Sequence, residues 1–367
     1  MIYCVIGTRA QLIKMASVIA AIEEKGWPLR IIHTGQHMIS MDDLREDFSL
    51  QTPWVYLIKK TEAKTVFSSL KWLSHILYLT AFRAKELIPN ANKKKDIVLV
   101  HGDTFSTVIG ALLGKLSGAS VGHVESGLRS FNVLHPFPEE INRLITFRLM
   151  DVAFCPGEWA KQNLKYLKRK KIINTVNNTL YDSLVLALRP ISSPSNCIKL
   201  KNYAVISIHR FENLYSNKRL KTIIDLILYT ANKIPVTFVM HPITKKRLEK
   251  TGLIKQLYSH RNITLSPRTG YFKFIELIAF SSFVITDGGS NQEELSYLNI
   301  PTLLVRKTTE RQEGLTTNVT LSNYSVAIST NFIDLNLKNS ALSRNISIQK
   351  FDSPTDKILN ILEKFNS

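Results

Sequence analysis

The chain has 367 residues, 44% of them hydrophobic, and carries 48 Lys and Arg against 29 Asp and Glu, a net charge of +19. This composition excludes a disordered chain, and the length predicts two domains of about 150 to 200 residues each rather than one core. No apolar run approaches the ~18 residues of a membrane span. The richest stretch, 72–82, is broken by Ser74 and His75. The apolar start, 1–6, lacks a basic leader and a small-residue cleavage site, so no export signal is expected. Cys4, Cys155 and Cys197 lie far apart with no Cys-x-x-Cys, which argues against a disulfide framework or a zinc site and for a reducing cytoplasm. The excess charge sits in short runs, Lys93-Lys94-Lys95, Lys168-Arg169-Lys170-Lys171 and Lys245-Lys246-Arg247. They read first as solvated surface, second as a contact for an anionic membrane or other polyanion, and last as a nucleic-acid site.

In chain order, short apolar runs alternate with longer segments of helical period, the mark of an α/β protein with parallel strands. Strands are expected at 2–6, 29–33, 97–101, 120–124 and 152–155, with helices at 10–24, 67–87 and 106–116. Residues 168–201, with their basic run, Pro190 and Ser192-Ser193-Pro194-Ser195, have few sustained apolar faces. A second series follows at 204–208, 236–240, 263–266, 283–286 and 302–305, and Asp352-Ser353-Pro354 opens a capped terminal helix. The expected division is a first domain at 1–170, a connection at 171–201, a second domain at 202–350 and a terminal helix at 351–367. Each domain is expected to be doubly wound, the two facing a cleft.

Open parallel sheets bind ligands beyond the carboxyl ends of their strands. At such ends stand His101-Gly102-Asp103-Thr104, Gly122-His123-Val124-Glu125, His209-Arg210 and Asp287-Gly288-Gly289-Ser290. Asp103, Glu125 and Glu139, the last in Pro138-Glu139-Glu140, form a set of carboxylates able to divide acid and base roles; alternatively Asp103 caps a helix and Glu139 merely favours a helix start. Arg143 either orients a carboxylate or makes a surface ion pair. Arg9 and Lys14 flank the first strand-to-helix turn and suit a diphosphate, though Lys14 suits the helix surface equally. Gly288, Gly289 and Ser290 suit a phosphate at a helix start, with Glu294 placed for ribose hydroxyls. Gly-x-Gly-x-x-Gly after the first strand, the Walker lysine motif and His-Glu-x-x-His are all missing from the sequence, against nicotinamide, ATP and zinc chemistry; no metal is expected.

Together Gly7-Thr8-Arg9 with Ile13-Lys14, Thr34-Gly35-Gln36-His37, His101-Gly102-Asp103-Thr104, Gly122 to Arg129, Pro138 to Arg143, His209 to Asn213, Thr286 to Gly289 and Thr308 to Arg311 resemble the UDP-N-acetylglucosamine 2-epimerase family. The resemblance runs in the family's order from residue 7 to about 314 and implies a GT-B fold of two Rossmann-like domains. It implies C2 inversion of a UDP-2-acetamido sugar, most directly UDP-GlcNAc to UDP-ManNAc, by UDP elimination to a 2-acetamidoglucal and re-addition, for a surface polysaccharide precursor. The resemblance implies no cofactor and a homodimer; the cysteine usage and the scattered charge runs add the expectation of a cytoplasmic protein with no nucleic-acid partner. By the same resemblance Asp103 and Glu139 are acid/base groups, Glu125 a third catalytic carboxylate, and His209 assists the leaving UDP. Arg9, Lys14, Phe274, Gly288, Gly289, Ser290, Glu294 and Arg311 match nucleotide contacts, and Gln36, His37, Arg143 and Arg210 are candidates for regulation or substrate orientation. Phe274 reads equally as a helix core residue. The branch stays open, because a hydrolysing epimerase releasing ManNAc and UDP, or an epimerase of a UDP-diacetamido uronate, shares these motifs. A GT-B glycosyltransferase is the reading from another class. The chain departs from the family's usual pattern at Ala10-Gln11, Met38-Ile39, Asn177-Asn178-Thr179 and Gly288.

Overall fold

The structure, a computed structural model, describes residues 1–36, 41–58, 66–133, 137–191, 202–309, 311–339 and 350–365, with backbone alone for 66–74 and 339. By contacts the chain divides into two compact units, 1–186 with 351–367, and 187–350.

The first unit is a sheet of seven strands, β1 Ile2–Ile6, β2 Leu29–His33, β3 Trp54–Tyr56, β4 Ile97–His101, β5 Ser120–Val124, β6 Val152–Cys155 and β7 Lys171–Asn174. Their order is β3-β2-β1-β4-β5-β6-β7 and every pairing is parallel. β1, β4 and β5 are buried along their whole length, which is why β1 and β4 read as nearly continuous apolar runs, while β5 buries Ser120 and His123 among its valines. The second unit repeats the winding with β8 Ala204–Ser207, β9 Val236–Met240, β10 Ile263–Pro267, β11 Phe283–Thr286, β12 Thr302–Leu304 and β13 Val319–Leu321, in the order β10-β9-β8-β11-β12-β13. In each sheet the strand order reverses beside the first strand, between β1 and β4 and between β8 and β11. Such a switch point parts the adjoining loops and opens a crevice at the carboxyl edge. These are two Rossmann-like units in tandem, the composition of a GT-B fold.

Three strands, β3, β7 and β13, lie outside the expected set. All three are sheet edges of three or four residues, and their partial burial leaves too few apolar side chains to show as runs. β7 and the helix Leu180–Leu188 also occupy the stretch expected to be a connection, so the first unit extends to 186. The terminal helix Pro354–Leu362 packs on the helix Arg9–Glu24 of the first unit. Ser353 caps it by accepting from Asp356 N at 3.1 Å, and Thr355 donates to Ser17 Oγ at 3.0 Å. Ile358, Leu359 and Leu362 are buried there.

The helix Phe105–Ser117 lies so close to the sheet that side chains would obstruct it. A Cβ on Gly110 would stand 2.6 Å from Val100 Cγ1 and 2.8 Å from Val5 Cβ. Cys4 and Cys155 are buried, and burial pushes both thiols up to about 12, out of reach of ordinary thiolate chemistry. No helix among the described residues is long and apolar enough to cross a membrane.

Gly110→Ala should destabilise the protein by about 1 to 3 kcal/mol, because strain against a strand Cβ exceeds the ~1 kcal/mol gain in helix propensity. Urea denaturation measures it; an unchanged or higher midpoint would show that the helix can move off the sheet without cost.

Candidate active site

At the carboxyl end of β1, Thr8 caps the helix Arg9–Glu24 by accepting from Gln11 N at 3.2 Å. The Gln11 side chain then ties two turns together. Its Oε1 accepts from Gly7 N at 3.0 Å, and its Nε2 donates to His101 O at 2.7 Å and Thr104 Oγ1 at 3.0 Å. A glutamate could accept here but not donate. One turn on, Lys14 is buried and donates to Glu125, which also accepts from Asn178 Nδ2. His101 Nε2 is 3.4 Å from the same carboxylate oxygen. Glu125 takes a left-handed backbone, φ 62°, unusual for a residue with a side chain. The Lys14 ammonium is thus fixed by a buried carboxylate rather than left on the helix surface.

Asp103, at the end of β4, is a quarter exposed and is held by the helix Glu139–Leu149. Arg143 Nη2 donates to Asp103 Oδ2 at 2.5 Å, and Asn142 Nδ2 donates to the Asp103 carbonyl at 2.8 Å. Arg143 Nη1 also donates to Glu140 Oε2 at 3.2 Å. Glu140 is fully buried and accepts besides from Arg129 and, at 3.0 Å, from Ser130 N. Burial opposes its charge, but the Ser130 N–H and the two guanidiniums outweigh it and hold the carboxyl below its ordinary value. Neighbouring Glu139 differs: its Oε2 is buried without a hydrogen-bond partner among the described residues. A buried acceptor left without a donor is costly and concentrates where a substrate group completes it. Beneath the Asp103 turn, His123 Nε2 bonds the Gly102 carbonyl at 2.7 Å. Burial lowers the His123 imidazole to about 4, so it is neutral near pH 7 and Nε2 carries the donated proton.

Gln36 Oε1 accepts from Ser106 N at 3.1 Å and Ser106 Oγ at 2.6 Å, beside the Asp103 turn, whereas His37 lies outside the described residues. Arg9 makes a two-pronged pair with Asp43, its Nη1 2.5 Å from Asp43 Oδ1.

In the second unit the centre is Asp287, wholly buried after β11. It accepts from the backbone N–H of His209 at 3.0 Å, that of Arg210 at 2.9 Å and Asn213 Nδ2 at 2.9 Å. His209 Nδ1 is 3.3 Å from Asp287 Oδ1, and its ring is 40% exposed. The His209 ring rests directly on Gly288, where a Cβ would stand 3.0 Å from His209 Cε1 and 2.6 Å from Asn291 Oδ1. Gly288 opens the helix Gly289–Tyr297, which has no side-chain cap, and Ser290 lies in its first turn. Glu294, buried one turn later, accepts from Asn291 Nδ2 at 3.1 Å. Glu294 also faces Tyr271, whose phenol is raised well above its ordinary value by burial first and by Glu294 second. Arg311 is bound to buried Glu293, and Arg210 pairs with Glu212 at 2.8 Å. Phe274 is half-buried on the helix Tyr271–Ala279.

Within the first unit, Lys14 meets Glu125 and Asp103 meets Arg143; within the second, His209 at the end of β8 lies against Gly288 in the turn after β11, with Ser290 and Glu294 in the helix that follows. Sequence reasoning missed Gln11, His101, His123, Glu140, Asn178, Asn213 and Asp287 as site residues. All seven stood in stretches already quoted, and for Asp287 a polar residue directly after a buried strand was the available signal. No group of His, Cys, Asp and Glu able to hold a metal occurs among the described residues.

A family profile described as UDP-N-acetylglucosamine 2-epimerase matches residues 20–346. The chain belongs to that family. A UDP-N-acetylglucosamine 2-epimerase of Methanocaldococcus jannaschii is 32% identical over 324 residues, 84% of each chain. A UDP-2,3-diacetamido-2,3-dideoxy-D-glucuronate 2-epimerase of Pseudomonas aeruginosa is 32% identical over 326 residues, 86% of each. Among solved structures, the Methanocaldococcus jannaschii UDP-GlcNAc 2-epimerase in complex with UDP-GlcNAc and UDP superposes with a TM-score of 0.79 at 28% identity, covering 99% of both chains. The Neisseria meningitidis enzyme bound to UDP-GlcNAc gives 0.76 at 27% identity, again over 99% of both.

Two of this epimerase's departures from the usual family pattern acquire physical reasons. Gln11 needs an amide that both donates and accepts. Gly288 leaves room for Asn291 and for the His209 ring, and a serine there would displace one of them.

Two outcomes are expected. Asp287→Asn should lower kcat roughly ten- to hundredfold, less than the ~10⁴ lost with the orienting carboxylate of a buried triad, because the His209 ring is partly exposed and only 3.3 Å from its partner. Steady-state kinetics decides, and a wild-type kcat would remove Asp287 from the positioning of His209. His123 binds its proton at about 4 in the fold against 6.5 unfolded, so the unfolded state takes up the extra proton and stability falls as pH drops through that window. Full traversal is worth about 3 kcal/mol. Urea denaturation across this range should show the slope in the wild type and a flatter one in His123→Gln, which keeps a donor for Gly102 but does not titrate.

Proposed function

We propose that the chain inverts C2 of a UDP-2-acetamido sugar, UDP-GlcNAc giving UDP-ManNAc, without hydrolysis. The observation that carries the reading is the pair of unlike carboxyls in the first unit: Asp103 held by Arg143, and Glu139 with one buried oxygen lacking a donor. One carboxylate removes the C2 proton as the C1–O bond breaks and the departing UDP takes the bonding electrons. The product is a 2-acetamidoglucal. A proton returned to C2 on the opposite face, with re-addition of a UDP oxygen to C1, completes the inversion. The C2 proton becomes acidic only as C1 gains positive character, so base and leaving-group stabilisation act in concert. The second unit supplies the latter: His209 on its Asp287 mount, the amides at the start of the helix Gly289–Tyr297, and Glu294 for ribose hydroxyls. Lys14, held by Glu125, offers the diphosphate an N–H donor rather than net positive charge.

The Pseudomonas relative's name supports a second substrate, a UDP-diacetamido uronate, for the same chemistry. The reading carries with it a cytoplasmic homodimer and a role in supplying surface polysaccharide.

Incubation with UDP-GlcNAc in heavy water should yield UDP-ManNAc deuterated at C2. Unlabelled sugar with no epimer would sink the proposal, and free ManNAc with UDP in the phosphorus NMR spectrum would move the protein to the hydrolysing branch. Turnover of the diacetamido uronate alone would move it to the Pseudomonas relative's substrate. Asp103→Asn and Glu139→Gln should each cut exchange about 10²- to 10⁴-fold; unimpaired exchange in both would remove the pair from the acid/base roles, and UDP release in the wild type without exchange at C2 would favour a glycosyltransferase.

A further inference from the structure

The carboxyl edge of the first sheet carries the candidate chemistry, and its amino edge collects charge that the reaction does not use. Because β4 to β7 are parallel, the residues just before each strand reach the same edge. Each of the four approaches carries basic residues: Lys93-Lys94-Lys95 before β4, Lys115 in the last turn of the helix that precedes β5, Arg148 in the last turn of the helix that precedes β6, and Lys168-Arg169-Lys170-Lys171 leading into β7. Two runs 73 residues apart in sequence thus come within three strand spacings, about 14 Å.

The contacts in these turns show the convergence directly. Asp151 stands at the centre, 2.6 Å from Lys115 Nζ and 3.2 Å from Lys93 Nζ, and its carbonyl accepts from Lys171 N at 3.0 Å. Ser120 Oγ donates to the Lys93 carbonyl at 2.7 Å, and Lys170 Nζ to the Arg148 carbonyl at 3.2 Å. Nine cations in these turns face two acids, Asp96 and Asp151. Lys170 registers the crowding: burial first, then Lys115 and Lys93, outweigh Asp151 and lower its ammonium below the ordinary value. Lys93, Lys94, Lys95, Lys168, Arg169 and Lys171 are exposed. Tyr166 and Leu116, 59% and 49% exposed, stand in the same turns.

We propose that this amino edge is a docking surface for an anionic lipid bilayer. Gathered like charges repel one another unless an external anion offsets them, and a negatively charged leaflet attracts such a polybasic cluster. Seven of the nine cations are lysines, compact charges suited to a diffuse field of headgroup phosphates, with two arginines for bidentate recognition. A nucleic-acid site calls for stacking aromatics or a helix presented to a groove, and these turns offer Tyr166 as their exposed aromatic. Tyr166 and Leu116 add amphipathic and apolar surface at the level of the charges, as an interfacial contact requires. Since the candidate catalytic residues of this unit lie at the opposite ends of the same strands, docking leaves them open to substrate.

Vesicle co-sedimentation tests the proposal, using the whole chain with phosphatidylcholine vesicles with and without phosphatidylglycerol. Binding is expected with phosphatidylglycerol, weakening as salt rises. The quadruple variant Lys93→Gln, Lys94→Gln, Lys168→Gln, Arg169→Gln should lose roughly several hundredfold in affinity, at about fivefold for each of the four charges. Epimerase turnover of the variant in solution should match the wild type, which shows that the fold is intact. No sedimentation with phosphatidylglycerol, equal sedimentation with phosphatidylcholine alone, or unchanged binding by the variant overturns it. So does release of the protein from vesicles by poly(U) at equal phosphate, which would assign the surface to RNA.

Discussion

Parallel strand pairing is the constraint from which the rest of this molecule follows. Each strand enters its sheet at one edge and leaves at the other, so residues far apart in sequence meet solely because each stands just past a strand. Lys14, in the second turn of the helix after β1, and Asn178, after β7, converge on the carboxylate of Glu125, which follows β5. His209 and Asp287, 78 residues apart, follow the paired strands β8 and β11. Glycines make the close fit possible where helices return across the sheet, as Gly110 does against β1 and β4.

The polar groups gathered this way are mostly buried carboxylates, which water would hold better than protein does. Each is retained by several donors: Glu125 by Lys14 and Asn178, Glu140 by Arg129, Arg143 and a backbone N–H, Asp287 by two backbone N–H groups and Asn213. A buried ion pair is weak evidence of stability, since desolvation cancels much of the attraction, whereas breaking one strands a charge at a cost of roughly 3 to 5 kcal/mol. Their clearest physical effect is to fix orientation. Arg143 cannot swing off Asp103 without leaving Glu140 short of a donor, and the backbone at His209 cannot shift without unbinding Asp287.

The sequence exposed the architecture wherever burial was complete. β1, β4, β8 and β11 are apolar runs that end in at most one polar residue and are bounded by turn residues, so they stood out, while β3, β7 and β13 did not because these edge strands are short and half wet. Candidate residues were legible where chemistry and position coincided, as for Asp103, Glu125 and His209 at strand ends. The partners were illegible for a different reason. Nothing local marks Gln11 as the link between two turns 90 residues apart, or His123 as the brace under Gly102. Arg9, Lys14 and Arg311 looked like free counter-charges for a diphosphate, but each has an acidic partner, Asp43, Glu125 and Glu293. Net charge counted from the sequence therefore overstates the positive field these three offer a ligand.

The two units share a way of mounting a working group. Asp103 and His209 keep 24% and 40% of their side chains exposed, while the groups behind them, Glu140 through Arg143 and Asp287, are fully buried. An exposed group alone samples many rotamers and gives up orientation entropy at each turnover. A buried charge placed behind it removes that freedom once, during folding, and the low local dielectric strengthens the hold. Elimination across C1 and C2 would place the heaviest demand on such mounting, because proton removal and leaving-group departure must be aligned together. Each unit contains one such mount, Glu140 and Arg143 behind Asp103 in the first and Asp287 behind His209 in the second, and in both the orientation is set by the buried partner rather than by enclosing the exposed group.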